Sequence, residues 1–212
     1  NKKEIIYNKA LLKLYDFPVM YFPKFFHPDP TVKRKTGFLQ PKMNKSKILD
    51  TSINIPYYFM IDRNKDFTLN PTFSEIGTNF FQGEYRQKNI KSSHILDLGF
   101  ATNFKSNYTN KKKNIFHFFS NSEIDLEYDN FDVSKLKIYA EKINKDTYLK
   151  IFENQLLNNS VKPKDSNILT SGIDFNLGNE SILLQTGFTS YEDLNKTQSD
   201  RYQYVLPYYR FD

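Results

Sequence analysis

Apolar and polar residues alternate at period two along much of this chain, and no other feature limits its fold as strongly. In residues 48–60 the odd positions carry mainly apolar or aromatic side chains, while Asp50, Ser52 and Asn54 occupy even positions. Successive side chains of a β-strand point to opposite faces, whereas a helix repeats every 3.6 residues. The segment is therefore predicted to be a strand with two unlike faces.

The same alternation recurs along the chain, with polar loops between the segments. A single helical turn is predicted at 146–153, where Tyr148, Ile151 and Phe152 follow an Asp at helical spacing. We expect an all-β fold of about ten antiparallel strands. The predicted strands are 38–43, 48–60, 67–73, 79–86, 96–100, 116–118, 135–141, 173–177, 182–188 and 202–208.

The composition excludes several classes of protein. Of the 212 residues, 17% are aromatic and 39% hydrophobic, which is far above the level of a disordered, solvating tail. There is no cysteine, so disulfides, thiol chemistry and Cys-ligated metals are excluded within this stretch. No apolar run approaches the roughly 20 residues of a transmembrane helix.

The alternation alone leaves three classes of β-protein open. Strands of about 9 to 12 residues are long enough to cross a membrane with one face toward lipid and the other toward an aqueous lumen. A soluble β-sandwich that binds a ligand or partner would show the same alternation. A diffusion porin or receptor barrel is the third class. Aromatic residues near strand ends, at 57–59 and 208–211, favour the membrane classes, because aromatic girdles mark both interfaces.

Sequence motifs give no support for catalysis, metal binding or nucleic-acid binding. His27, His94 and His117 lack the spacing of a metal site, and no nucleophile elbow or phosphate-binding glycine loop is present. We therefore predict no enzymatic activity, no cofactor and no metal. The basic runs 33–35 and 111–113 are read as solvated loops, with no nucleic-acid partner, or as contacts to anionic lipid head groups or glycolipid phosphates.

The first 35 residues differ from the rest of the chain. Strands are predicted at 10–16 and 19–22, and three prolines follow at Pro23, Pro28 and Pro30. Clustered prolines forbid a helix and form a stiff connector. A domain boundary is predicted within 28–35.

Two further prolines fall inside predicted strands. Pro41 lies in 38–43 and Pro56 in 48–60, and neither can donate a ladder hydrogen bond. If the neighbouring strand would otherwise pair with those N–H groups, the prolines weaken the contact between the two strands, which we call a seam, and mark it as one that opens. If each position faces an unpaired edge or a bulge, no ladder hydrogen bond is lost.

Seven segments, in order along nearly the whole chain, resemble one family, the outer-membrane LPS-assembly protein LptD. The segments are FPVMYFP (17–23), HPDPTVKRKTGFLQP (27–41), INIPYYF (53–59), DFTLNPTF (66–73), GEYR (83–86), INKDTYLKIF (143–152) and RYQYVLPYYRF (201–211).

The resemblance implies an architecture and an activity. Residues 1–30 would be the last strands of a periplasmic jelly-roll domain, and residues 31–212 the N-terminal part of a very large outer-membrane β-barrel that this length cannot close. Such a protein receives lipopolysaccharide from periplasmic bridge proteins, shelters its acyl chains in the jelly roll and releases it sideways into the outer membrane. A lipoprotein plug, LptE, would fill the lumen.

The resemblance also suggests roles for individual residues. Pro41 and Pro56 would weaken the first strands at the lateral gate. The candidate acyl-chain path would contain Leu12, Leu14, Val19 and Tyr21. In some members disulfides join the periplasmic domain to the barrel, and this stretch has no cysteine for them.

Overall fold

The computed structural model describes residues 4–14, 17–28, 34–46, 49–106 and 109–211. Nearly all of them lie in strands or in the loops that join strands. The strands are β1 (Glu4–Leu14), β2 (Phe17–Pro28), β3 (Gly37–Phe38), β4 (Lys42–Ser46), β5 (Asp50–Asn54), β6 (Tyr57–Asp62), β7 (Lys65–Ser74), β8 (Asn79–Lys88), β9 (Ser92–Ser106), β10 (Thr109–Asp125), β11 (Val133–Ile143), β12 (Ile168–Gly178), β13 (Leu183–Asp193) and β14 (Tyr202–Phe211). The one α-helix among them, α1 (Tyr148–Ile151), confirms the predicted helical turn, and a 3₁₀ turn spans Ser199–Arg201.

The first two strands form a two-stranded antiparallel sheet of their own. They overlap the predicted strands at 10–16 and 19–22 but are longer. In particular, β2 runs through Pro23 and ends at Pro28. The predicted domain boundary at 28–35 falls largely on residues 29–33, which lie outside the described part of the chain.

The other twelve strands form one antiparallel sheet, which confirms the predicted all-β class. The order is β14-β13-β12-β11-β10-β9-β8-β7-β5-β4, with β3 paired to β6 and β6 to β7. Because β5 and β6 pair with β7 in one continuous register, they act as two halves of one strand. Strands β3 and β4 likewise pair along that divided strand, with a register shift of one residue between them. The sheet therefore has ten strand positions, which match the ten predicted segments.

We call the end of the sheet where Gly37 begins β3 the proximal end, and the opposite end the distal end. The turns that join β6 to β7 and β8 to β9 lie at the proximal end and are short. The longest connection, residues 144–167, leaves β11 and returns to β12 at the distal end. We call it the inserted segment.

The inserted segment packs against one face of the sheet, which we call the inner face. Tyr148 and Phe152 are completely buried there, and Phe152 stacks on Phe80 of β8 with ring centroids 4.7 Å apart. The buried apolar cluster comprises Leu49, Phe80, Ala101, Phe104, Ile115, Phe119, Ile143, Tyr148, Leu149, Ile151, Phe152, Leu156, Val161, Leu169 and Leu194.

The inner face is polar away from this cluster, and the opposite, outer face is apolar and exposed. Buried polar residues of the inner face include Ser52, Asn54, Asp66, Thr68, Asn70, Thr72, Gln82, Glu84, Asp97 and His117. Exposed apolar residues of the outer face include Ile53, Phe59, Phe73, Leu98, Phe100, Phe116, Phe118, Ile138, Ile173, Phe188 and Tyr204. The predicted alternation is confirmed, and the face that it makes apolar is the one left uncovered.

No helix in the described residues has the length and apolar character that crossing a membrane would require.

Candidate functional site at the interrupted edge of the sheet

Pro41 and Pro56 lie at breaks between strands, not inside strands as the sequence predicted. Pro41 directly precedes β4, and Pro56 lies between β5 and β6. Proline has no N–H to donate and fits poorly inside a ladder. Each predicted strand is therefore divided at its proline.

A β-bulge surrounds Pro41. Phe38 pairs with Tyr57 and Lys42 pairs with Asn54, so three residues of the first strand lie opposite two of its neighbour. An extra residue leaves part of the ladder unpaired. The missing N–H of Pro41 thus falls where pairing is already irregular. This is the second of the two alternatives that the sequence left open, in which the proline lies at a bulge.

Pro56 removes a hydrogen bond that the ladder would otherwise contain. Its carbonyl oxygen accepts a hydrogen bond from the Leu39 amide at 2.9 Å, so its backbone faces the first strand. In an antiparallel sheet, residues paired in this way exchange two N–H···O bonds. Because Pro56 has no N–H, the Leu39–Pro56 pair can make only one.

Pro71 of β7 has the same effect on the next seam, and sequence reasoning missed it as a site residue. The Ile55 amide donates to the Pro71 carbonyl at 3.0 Å, and Pro71 cannot return the bond. Two neighbouring seams thus each lack one bond at adjacent residues. The signal in the sequence was a third proline inside an alternating segment, 67–73.

Aromatic rings cross this weakened region on the outer face. Phe38 packs edge-on against Tyr57 with centroids 4.8 Å apart, and Phe59 lies 4.5 Å from Tyr57 and 5.9 Å from Phe67. Such pairs contribute about 0.5–1.5 kcal/mol each beyond the area that they bury. Side-chain contacts therefore hold the edge strand where backbone bonds are missing.

The structure places Leu12 and Leu14 on β1 and Val19 and Tyr21 on β2, in one hairpin. The register pairs Leu11 with Tyr21. Tyr21 is exposed, and the side chains of Leu12, Leu14 and Val19 lie outside the described part of the structure.

A buried polar cluster, also missed from sequence, anchors the inserted segment to the inner face. The Asp97 carboxylate accepts hydrogen bonds from Gln82 Nε2 at 2.8 and 2.9 Å and from Asn159 Nδ2 at 2.7 Å. His117 Nε2 lies 3.0 Å from the same carboxylate, and His117 Nδ1 lies 2.7 Å from the Tyr148 hydroxyl. Burial, together with the charge of Asp97, raises the pKa of Tyr148, so that hydroxyl stays protonated and can donate.

This cluster is suited to bracing rather than to catalysis. Both ring nitrogens of His117 have partners, and the residue is 1% exposed. A general base needs access to a substrate proton. Here the histidine links β9 and β10 to the inserted segment instead.

An ion pair ties the start of the inserted segment to the 3₁₀ turn before β14. Arg201 donates two hydrogen bonds to the Asp146 carboxylate, at 2.7 and 3.2 Å. Hydrogen bonding from the guanidinium lowers the pKa of Asp146, and the same contacts raise the pKa of Arg201. Asp146 therefore stays ionised across the neutral range, and the tie persists.

No family model matches the chain, but individual curated proteins do. An LPS-assembly protein LptD from Idiomarina loihiensis is 34% identical over 144 residues, which is 68% of this chain and 18% of that protein. The LptD of Polaromonas sp. strain JS666 is 37% identical over 79 residues, 37% of this chain and 10% of that protein.

A third relative, the LptD of Pseudomonas aeruginosa, is 31% identical over 91 residues, 43% of this chain and 10% of that protein. The chain thus spans less than a fifth of the length of these three relatives. The shared name agrees with the segments quoted above and with the large antiparallel sheet. This chain belongs to the LPS-assembly protein LptD family.

Proposed function

We propose that this chain is part of an outer-membrane barrel that assembles lipopolysaccharide into the outer leaflet, and that β3–β6 form one side of its lateral gate. The name of the relatives supports the substrate. In this proposal β1 and β2 end a periplasmic jelly roll that shelters the acyl chains, with Leu12, Leu14, Val19 and Tyr21 along their path. Periplasmic bridge proteins deliver the glycolipid, and the LptE lipoprotein plugs the lumen.

The observation that carries the membrane location is the inversion of the sheet's two faces. A soluble sandwich would bury the apolar face and expose the polar one. In this chain Asn70, Gln82 and Asp97 are buried, while Leu98 and Phe100 are exposed. A barrel wall between lipid and a polar lumen has this arrangement, and strands of 10 to 17 residues are long enough to cross.

The gate proposal depends on the half-made pairs Leu39–Pro56 and Ile55–Pro71. Each missing bond lowers the stability of its seam by about 0.5–1.5 kcal/mol. The bulge at Pro41 interrupts the first strand at the same level. A strand that must separate from its partner gains from such weakening, whereas a diffusion porin would have no use for it.

The test restores the missing donors with Pro56→Ala and Pro71→Ala in the full-length protein. If both bonds form, each of the two seams gains about 0.5–1.5 kcal/mol, and its open population falls roughly twofold to twelvefold. We expect the rate at which new lipopolysaccharide reaches the cell surface to fall accordingly.

Pro207→Ala is the matched control. Pro207 is an exposed proline of β14, where the register to β13 is already irregular. The control should export at the wild-type rate. An unchanged export rate in the double variant would count against the gate and leave a porin-like barrel as the better description.

A further inference from the structure

A cavity of about 550 Å³ opens at the proximal end of the inner face, beside the edge strand. Four cationic side chains line it: Arg34, just before β3; Arg63, in the β6–β7 turn; and Arg86 and Lys88, at the end of β8. Its acidic lining residue is Asp66, at the start of β7.

Two of the cations are held in place by the chain itself. Arg34 forms an ion pair with Asp66 and donates hydrogen bonds to the Tyr58 hydroxyl at 3.0 Å and to the Arg63 carbonyl at 2.9 Å. Arg86 Nε lies 2.8 Å from Asp66 and 3.3 Å from Glu84. A guanidinium has five N–H donors, so an arginine bound through Nε still presents others.

The other two cations are not neutralised. Arg63 and Lys88 are exposed, and no carboxylate of the described residues lies within 4 Å of either charged group. With Asp66 and Glu84 counted against the four cations, the cavity carries a surplus of two positive charges. Such a surplus inside a concave wall attracts anions more strongly than scattered surface charge does.

We propose that this cavity binds the phosphate groups of a phosphorylated glycolipid as it enters the lumen. Guanidinium groups match phosphate oxygens in paired, charge-assisted hydrogen bonds, and a lysine adds a mobile point charge. The preorganised Arg34 and Arg86 set the geometry, while Arg63 and Lys88 supply charge. Lipopolysaccharide as the source of the phosphates rests on the proposed function, whereas the anion site does not.

The basic run at 33–35 cannot serve for this test. Neutralising it would remove Arg34 and with it the ion pair to buried Asp66. Arg63→Gln with Lys88→Gln removes the two charges that have no carboxylate partner among the described residues, and so leaves the Asp66 contacts intact. Lys150→Gln with Lys164→Gln removes two exposed charges from the inserted segment and is the matched control.

The experiment measures binding to the full-length protein in detergent. The probes are lipopolysaccharide, the same material after enzymatic removal of its phosphates, and inorganic pyrophosphate as a competitor. We expect the Arg63/Lys88 double variant to bind lipopolysaccharide about tenfold or more weakly, since charge-assisted contacts of this kind are lost. The double variant should bind the dephosphorylated material as well as the wild type does. The control variant should bind lipopolysaccharide as well as the wild type does.

The competitor separates the two sources of phosphate. If pyrophosphate displaces lipopolysaccharide, the site recognises the free anion. If pyrophosphate does not displace it, the site requires the phosphate group carried by the lipid. Equal affinity of wild type and double variant for lipopolysaccharide would overturn the site and leave the transport function untouched. If export did not depend on the protein but the charge-dependent binding persisted, the transport function would fail and the anion site would stand.

Discussion

Gly99 of β9 shows how closely the inner face is packed around the polar cluster. A Cβ at this position would contact the His117 ring and the Tyr148 hydroxyl. His117 cannot move away easily, because its ring stacks on Phe119 with centroids 4.3 Å apart. The absence of a side chain at residue 99 is therefore what lets Tyr148 reach His117.

Gly99→Ala should destabilise the folded protein by about 1–3 kcal/mol, the usual cost of forcing extra volume into a packed site. The measurement is thermal unfolding of the full-length protein in detergent. Gly37→Ala is the control, because among the described residues no heavy atom beyond its two chain neighbours lies within 4 Å of the Cβ position there. Equal melting temperatures for the two variants would contradict the packing described around His117.

Single residues also show where sequence reasoning stopped. The prolines were visible in the sequence, and their inability to donate a hydrogen bond follows from chemistry alone. Which neighbour each one faced depended on register. Pro41 falls in a bulge, while Pro56 and Pro71 each remove a bond from a paired position.

At the scale of elements, the inserted segment is held by two kinds of contact. Tyr148 and Phe152 fill the apolar end of the inner face, and Phe152 stacks on Phe80. Farther along, the Leu157 amide donates to Gln82 Oε1 at 2.9 Å, and Asn159 reaches Asp97. The segment therefore covers part of the inner face as an ordered part of the fold.

Phe152→Ala should release the inserted segment while leaving the sheet in place. Removing a buried phenyl ring costs about 3–5 kcal/mol, which is large for a segment of 24 residues with one helical turn. Limited proteolysis within 144–167 should become much faster in this variant.

Glu153→Ala is the control for that measurement, because the neighbouring Glu153 side chain is exposed. Its cleavage rate should match that of the wild type. Wild-type protection of the Phe152→Ala variant would show that the polar anchors alone suffice.

At the scale of the whole molecule, the outer face is a continuous apolar surface. Phe100 of β9 lies between Phe81 of β8 and Phe116 of β10 in register, and both Phe100 and Phe116 are exposed. Soluble monomers rarely expose contiguous apolar areas of this kind. Contact with lipid instead of water removes the free-energy cost of exposing this apolar area.

If the sheet forms the proposed barrel wall, Phe100→Lys should lower the stability of the protein folded in lipid vesicles by about 2–4 kcal/mol, the cost of a cation near the middle of the bilayer. Ile90→Lys places the same charge at a fully exposed turn of the proximal end and should cost about 0–1 kcal/mol. Folding equilibria in vesicles give both values. Similar costs at the two positions would favour the soluble-sandwich alternative.

The sequence by itself determined the all-β class, the ten strand positions and the separation of each strand into two unlike faces. These properties are local, because side-chain direction in a strand depends only on position along it. The seven quoted segments also carried the family assignment.

Only the tertiary structure decided which face is covered, where the ladder is incomplete and which residues meet beneath the inserted segment. Asp97, His117 and Tyr148 are separated by 20 and 31 positions along the chain. The four cations of the proximal cavity come from three separate stretches. Such contacts depend on strand order and on which residues lie opposite each other, whereas the period-two pattern determines only the face on which a side chain lies.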